Sequence, residues 1–300
     1  MPADIRVSLQ LPLAWVLAVL SLISCGAAGG SGSGAVNSAA MNSDAMNSDA
    51  MNSDAMSSDA VNSGAPAGPS SSRLIARPSG SVPGTTLGFW EYVPPGYGNG
   101  ARYPLLVFWH GLGENGDGSL ESLRQVTNHG PPRLQQENIW PEDRPFIVLS
   151  PQHPGTDCPS SSEIHDFVRF ALASYEVDLT RVYLTGLSCG AIGSWKYLAD
   201  HLDEVVAAAV LVCGDGRSAF ANVGCALGRV PIWALHGELD PTVPVAGSLE
   251  PLTKLNACGP PPVDARLTVY PEVTHDSWTQ TYDLSSGNDV YAWLLSHRKR

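Results

Sequence analysis

The apolar positions of this chain change period along its length, and each change marks a different element. Tyr103-Pro104-Leu105-Leu106-Val107-Phe108-Trp109 is a nearly unbroken apolar run, and Phe146–Ser150, Val205–Val212 and Pro231–Leu235 are similar. Short continuous runs of this kind predict strands buried on both faces, as in a central parallel sheet. Leu87–Val93 alternates instead, and Pro94-Pro95-Gly96-Tyr97 ends it. Arg181–Thr185 and Ala265–Tyr270 complete the predicted strands. Between them, Ile164, Phe167, Val168, Ala171, Leu172 and Tyr175 recur at helical spacing over residues 161–175, with Ser160 or Ser161 as cap. Ala191–Ala199 and Val290–Leu295 also read as helical. Strands alternating with helices predict an α/β fold, a mostly parallel sheet with helices on both faces.

The N-terminal part has a different pattern. Residues 1–24 carry Arg6 and then an apolar run from Leu11 to Ile23, which Pro12 interrupts. The run is short for a membrane span and suits a secretory signal. It ends Leu22-Ile23-Ser24-Cys25-Gly26, which resembles the lipobox of bacterial lipoproteins. That resemblance implies cleavage before Cys25, acylation of Cys25 and a lipid anchor on a membrane surface. Gly26 in place of Asp implies the outer membrane, by the same resemblance. Residues 25–72 follow as a tether, in which Met-Asn-Ser-Asp-Ala occurs at 41–45, 46–50 and 51–55. A five-residue period fits neither helix nor strand, and the stretch lacks the large apolar residues needed to offset ordering entropy. Residues 73–300 are left as one folded domain.

Charge narrows the partners. The chain has 29 acidic and 17 basic side chains, a net charge of −12. The one basic cluster is the terminal His297-Arg298-Lys299-Arg300, so a nucleic-acid partner is disfavoured. No C-x-x-C pair or H-E-x-x-H motif occurs, so no metal site and no cofactor is implied. Besides Cys25 there are Cys158, Cys189, Cys213, Cys225 and Cys258. With Cys189 free, the other four allow three pairings, of which Cys213–Cys225 is the most local.

The chemistry concentrates at Gly186-Leu187-Ser188-Cys189-Gly190, a G-x-S-x-G placed between a predicted strand and a predicted helix. A turn that sharp strains its apex residue and needs glycine beside it, and it presents the Ser188 hydroxyl clear of the sheet. Serine is a weak nucleophile unless a base takes its proton and a third group orients that base. Past the strand at 231–235 come His236, Glu238 and Asp240; past the last strand comes His275, in a loop. A histidine in a loop at a strand end points to chemistry. Asp240, Glu238, Asp215 and Asp276 are the available acids. His236 and His110, which end central strands, read as structural, while His129, His153 and Trp278 are further candidates for the cleft.

Four stretches together resemble the α/β-hydrolase superfamily: Val107–Glu114, Tyr183–Gly190, Trp233–Asp240 and Thr274–Trp278. They are most similar to bacterial esterases of the phospholipase/carboxylesterase and polyhydroxybutyrate-depolymerase group, which includes feruloyl esterases. The resemblance implies a serine esterase with Ser188 as nucleophile, Asp240 orienting, and His275 as general base and acid. It also implies an oxyanion hole from the backbone N–H groups of Leu112 and Cys189, an ester substrate and no cofactor. Position 189, usually Met or Gln in the family, is Cys here, and Ala191 replaces a usual Gly. Two other readings compete: a serine peptidase of prolyl-oligopeptidase type, for which residues 73–300 leave no room for a propeller, and a surface lipoprotein that keeps the fold as a binding module.

Overall fold

The computed structural model describes residues 73–259 and 264–299. The signal, the tether and Cys25 expected from the sequence lie outside the described residues.

The apolar runs become the middle of an eight-stranded sheet. In chain order its strands are β1 (Leu74–Arg77), β2 (Phe89–Tyr92), β3 (Tyr103–Trp109), β4 (Ile147–Pro151), β5 (Val177–Leu187), β6 (Val206–Val212), β7 (Ile232–Gly237) and β8 (Ala265–Tyr270). Their spatial order is β1-β2-β4-β3-β5-β6-β7-β8. The pairs β1/β2 and β2/β4 are antiparallel; every other pair is parallel. The helices are α1 (Leu120–Leu123), α2 (Gly130–Gln136), α3 (Ser161–Ser174), α4 (Cys189–Asp200), α5 (Arg217–Val223), α6 (Ala246–Asn256), α7 (Trp278–Tyr282) and α8 (Val290–Leu295). Among the described residues no helix is long and apolar enough to cross a membrane.

Why β3 shows no alternation is visible in its packing. Leu105, Val107 and Trp109 enter one core, with Phe167 and Ile164 of α3 and Trp195 of α4. Leu106 and Phe108 point the other way, into a core with Leu134 of α2, Tyr282 of α7 and Trp293 of α8. Both faces are covered, so the period-two pattern of the strand has no polar half.

The hydrophobic pattern did not predict several edge and loop elements, nor α6, whose buried face mixes Gly247, Ser248 and Pro251 with Leu252 and Leu255 and so shows no clear apolar period. β1 is a four-residue edge strand, and its Arg77 guanidinium is fixed on Glu91 at 2.9 and 3.2 Å. α2 begins in Gly130-Pro131-Pro132, a sequence that reads as a breaker; proline at the first helical positions loses no intrahelical bond and starts the helix.

The disulfides correct the sequence expectation. Cys189 is not free: it is bonded to Cys158, and Cys225 is bonded to Cys258. Cys213 is the free, buried thiol among the described residues. The local pairing Cys213–Cys225 fails because Cys213 follows the C-terminal end of β6. Cys225 lies in the 3₁₀ turn Gly224–Arg229 that leads back to the start of β7. α5 thus carries the chain from one end of the sheet toward the other between these two cysteines. The Cys225–Cys258 bond closes a sequence separation of 33 residues. Replacing both cysteines with serine is expected to cost about 3 kcal/mol of stability, read from urea unfolding of the variant and the parent.

Candidate active site

The site forms where loops leave the C-terminal ends of β3, β5, β7 and β8. β5 ends at Leu187 and α4 begins at Cys189, so a single residue makes the turn. That residue, Ser188, has φ 49° and ψ −117°, a conformation costly for a non-glycine residue. The turn closes this tightly because its flanks have no side chains. A Cβ on Gly190 would overlap the Trp109 carbonyl oxygen, and one on Gly186 would sit 2.8 Å from the Gly190 backbone. The Ser188 N–H is used by the Val212 carbonyl at 2.9 Å, which fixes the apex to β6.

Three side chains that the sequence separates by up to 87 positions meet above this turn. His275 Nε2 lies 2.9 Å from Ser188 Oγ, and His275 Nδ1 lies 2.7 Å from Asp240 Oδ2. With Nδ1–H donating to the carboxylate, Nε2 is left to accept the Ser188 proton. Asp240 is itself held: Oδ1 accepts the backbone N–H groups of Thr242 and Val243 at 2.8 and 2.9 Å. Burial alone would raise the Asp240 carboxyl. The His275 hydrogen bond and those two N–H groups outweigh burial and hold it below the usual carboxylate value.

The other acids take different roles. Glu238 is exposed and accepts the Glu272 N–H. Asp215 pairs with Arg217 at 2.6 Å. Asp276 caps α7 through the N–H and hydroxyl of Thr279. Neither Glu238, Asp215 nor Asp276 hydrogen-bonds His275.

The two strand-end histidines brace the loops. His110 Nε2 accepts the His153 N–H at 3.0 Å, so its Nδ1 carries the proton to the Gly111 carbonyl at 2.7 Å. Burial lowers His110 to about 4, which keeps it neutral. His236 is fully buried between the Val243 carbonyl and Ser248 Oγ, each at 2.8 Å. His153 is pinned by Glu163 at 2.8 Å.

Cys189 follows Ser188 in the chain, and Gly111, which precedes Leu112, lies close to Ser188: a Cβ on it would be 3.7 Å from the Ser188 Cβ. Cys189 is the first residue of α4, where backbone N–H groups lack intrahelical acceptors. Leu112 opens the 3₁₀ turn Leu112–Glu114 after β3, and its side chain is half exposed. The Cys158–Cys189 bond ties the start of α4 to the loop between β4 and α3.

Two neighbours carried no assigned role in the sequence. Glu114, within the His110–Glu114 stretch, is buried beneath the Gly111 loop, and burial pushes its carboxyl up to about 7. Its Oε1 is 3.6 Å from His129 Nε2. His129 Nδ1 accepts the Trp278 indole N–H at 3.2 Å, and the Trp278 ring meets His275 edge-on at 5.2 Å. Cys213 is the second. Its sulfur, an Asp240 oxygen and a His275 nitrogen lie within 4.8 Å of one another. A metal there would need a thiolate, whereas burial pushes the Cys213 thiol up, and Asp240 and His275 already bind each other.

Solved structures with the same arrangement of strands and helices are known. A thermostable esterase matches at 28% identity and a TM-score of 0.58, over 76% of this chain and 64% of its own. This chain thus spans less than two thirds of that esterase. The fold is the α/β-hydrolase fold. Esterase 2 of Thermogutta terrifontis, solved as its tabun adduct, matches at 14% identity and a TM-score of 0.50, over 76% of this chain and 96% of its own. A candidate dienelactone hydrolase from Klebsiella pneumoniae matches at 18% and 0.52, over 74% of this chain and 98% of its own. No family model and no curated protein sequence matches the chain.

Glu114 yields a pH test. Its folded value is raised from about 4.5 to about 7, so the folded state binds the extra proton between those values. Stability therefore falls as pH rises through that window and levels off above it. Glu114→Gln has no such proton to lose. Its stability relative to wild type is expected to grow by about 2 kcal/mol between pH 5 and pH 8, measured by urea unfolding at each pH.

Proposed function

We propose that this protein is a serine hydrolase that cleaves carboxylic ester bonds through an acyl-enzyme. The observation that carries the reading is the unbroken line Ser188 Oγ–His275 Nε2–Asp240 Oδ2, at 2.9 and 2.7 Å. The esterase at 28% identity supports the same chemistry.

In this reading Ser188 Oγ attacks the ester carbonyl carbon while His275 Nε2 takes its proton. Asp240 stabilises the imidazolium and holds the ring in place, without itself taking the proton. Negative charge gathers on the carbonyl oxygen, where the backbone N–H groups of Leu112 and Cys189 would receive it; one such donor is worth about 3 kcal/mol. The tetrahedral intermediate collapses as His275 gives its proton to the leaving alcohol. A water, deprotonated by His275, then attacks the acyl group, and the second intermediate releases the acid and restores Ser188. Between β6 and β7 the chain makes only α5 and a 3₁₀ turn, an insertion too short for a large lid. That suits small soluble or polymer-borne esters. We further propose that the protein is exported and anchored through acylated Cys25. The lipobox-like sequence supports that reading, and two disulfides suit an oxidising compartment.

The test is hydrolysis of a short-chain p-nitrophenyl ester by wild type, Ser188→Ala and Asp240→Asn. Both variants are expected to fold and to lose about 10⁴-fold or more in kcat. Equal rates for wild type and Ser188→Ala would remove Ser188 from the reaction.

A further inference from the structure

An oxyanion hole needs two N–H groups aimed at one oxygen, each about 2.7–3.1 Å from it, so the separation of the donors has to be fixed. In the reading above they come from different elements: Leu112 from the 3₁₀ turn after β3, and Cys189 from the start of α4. The chain from Gln152 to Cys158, which follows β4 and precedes α3, is bonded to both.

On the Leu112 side the bonds run along the whole segment. Asn115 closes the 3₁₀ turn, its N–H donating to the Leu112 carbonyl. Its side-chain Nδ2 donates to the Gly155 carbonyl at 2.9 Å and to the Asp157 carbonyl at 3.0 Å. The Gly116 N–H donates to the His153 carbonyl at 3.0 Å, and Gln152 Nε2 donates to the Glu114 carbonyl at 2.8 Å. On the α4 side, Cys158 is bonded to Cys189, and the Pro159 carbonyl occupies the space that a Cβ on Gly193 would need. The segment is stiffened from within. The His153 ring lies between the carboxylates of Glu163 and Asp157, at 2.8 and 3.2 Å, and a Cβ on Gly155 would be 2.5 Å from its Nε2. Leu112 is therefore joined to Cys189 through Asn115, Asp157 and Cys158, each step a hydrogen bond or a short run of covalent chain.

We propose, resting on the serine-hydrolase reading, that residues 152–158 form a shared brace for the oxyanion hole. Asn115 and the Cys158–Cys189 bond are the positioning groups that set the distance between the Leu112 and Cys189 N–H groups. Asn115 acts through the Leu112 turn, and the sulfur bridge acts through the first residue of α4. A carboxamide suits the first task, because one nitrogen carries two donors for two carbonyls of the segment; an aspartate there has none. The second link needs an oxidised pair, so the brace is complete only in a compartment where disulfides persist. Charge gathers on the carbonyl oxygen in acylation and again in deacylation. A misplaced donor therefore lowers kcat and leaves KM nearly unchanged.

The experiment measures kcat and KM for a short-chain p-nitrophenyl ester, and Ki for a short-chain trifluoromethyl ketone, whose adduct with Ser188 carries the oxyanion. Full-length wild type is compared with Asn115→Ala, with Asn115→Asp, with Cys158→Ser plus Cys189→Ser, and with Cys225→Ser plus Cys258→Ser. The Asn115 variants and the first cysteine pair are expected to lose about tenfold or more in kcat at similar KM, and Ki is expected to rise by a similar factor. Ki is read from the folded fraction, so a loss of folding alone leaves it unmoved. Asn115→Ala combined with the first pair is expected to lose less than the product of the separate losses, because both changes cut one path. The second pair is expected to keep the wild-type kcat and Ki. Wild-type kcat and Ki in the folded Asn115 variants or in the first pair overturn the brace while hydrolysis by wild type stands. So does a combined loss equal to the product, or an equal rise in Ki in the second pair. Equal hydrolysis by wild type and Ser188→Ala instead removes the reading on which the brace rests.

Discussion

The tight turn at Ser188 is the constraint on which the rest of the structure depends. A one-residue passage from β5 into α4 is possible only if helix and strand approach to backbone contact. Gly186 and Gly190 permit that approach, and the strained angles of Ser188 are its cost. The surrounding fold over-determines this geometry. The Ser188 N–H is taken by Val212, β3 packs under Gly190, and Trp195 and Leu198 bury α4 against the sheet. The strain is therefore offset by the packing of α4 on the sheet that the tight turn permits.

The same logic extends to the polar groups behind the site. His110, His236 and Asp240 are buried, and each is satisfied by named backbone or side-chain partners. Those bonds connect the loop after β3 with the loop before α3, and the loop after β7 with α6. A buried polar network of this kind rigidifies only when it is complete. Here it sets the orientation of the His275 ring through a carboxylate that cannot rotate away.

Much of this was legible in the sequence, for physical reasons that can be named. β3, β6 and β7 are buried on both faces, and burial forces an apolar residue at each position. α3 has one buried stripe, so its period shows, and Ser160 caps it as expected. Ser188 and His275 follow strands, and chain order with strand ends suggests that they meet; among the acids Asp240, Glu238, Asp215 and Asp276, only the family resemblance pointed to Asp240. The misses share a different cause. Disulfide pairing depends on which loops approach in space, and sequence distance misled it: Cys158 reaches Cys189 across 31 residues while Cys213 stays free. β1 is a short edge strand with one buried residue of four, too little pattern to read. Glu114 looks like any loop acid until burial is known.

The Cys158–Cys189 bond alters how the surroundings of Ser188 can come apart. Surface loops ordinarily open first and independently of the core, in local fluctuations far smaller than global unfolding. Here the loop between β4 and α3 is stapled to the first residue of the central helix. Its excursions are confined to the short spans on either side of Cys158, and the bond cannot be lost by heat alone. That loop thereby inherits the persistence of the core helix, and the start of α4 is protected from fraying by a covalent tie rather than by packing.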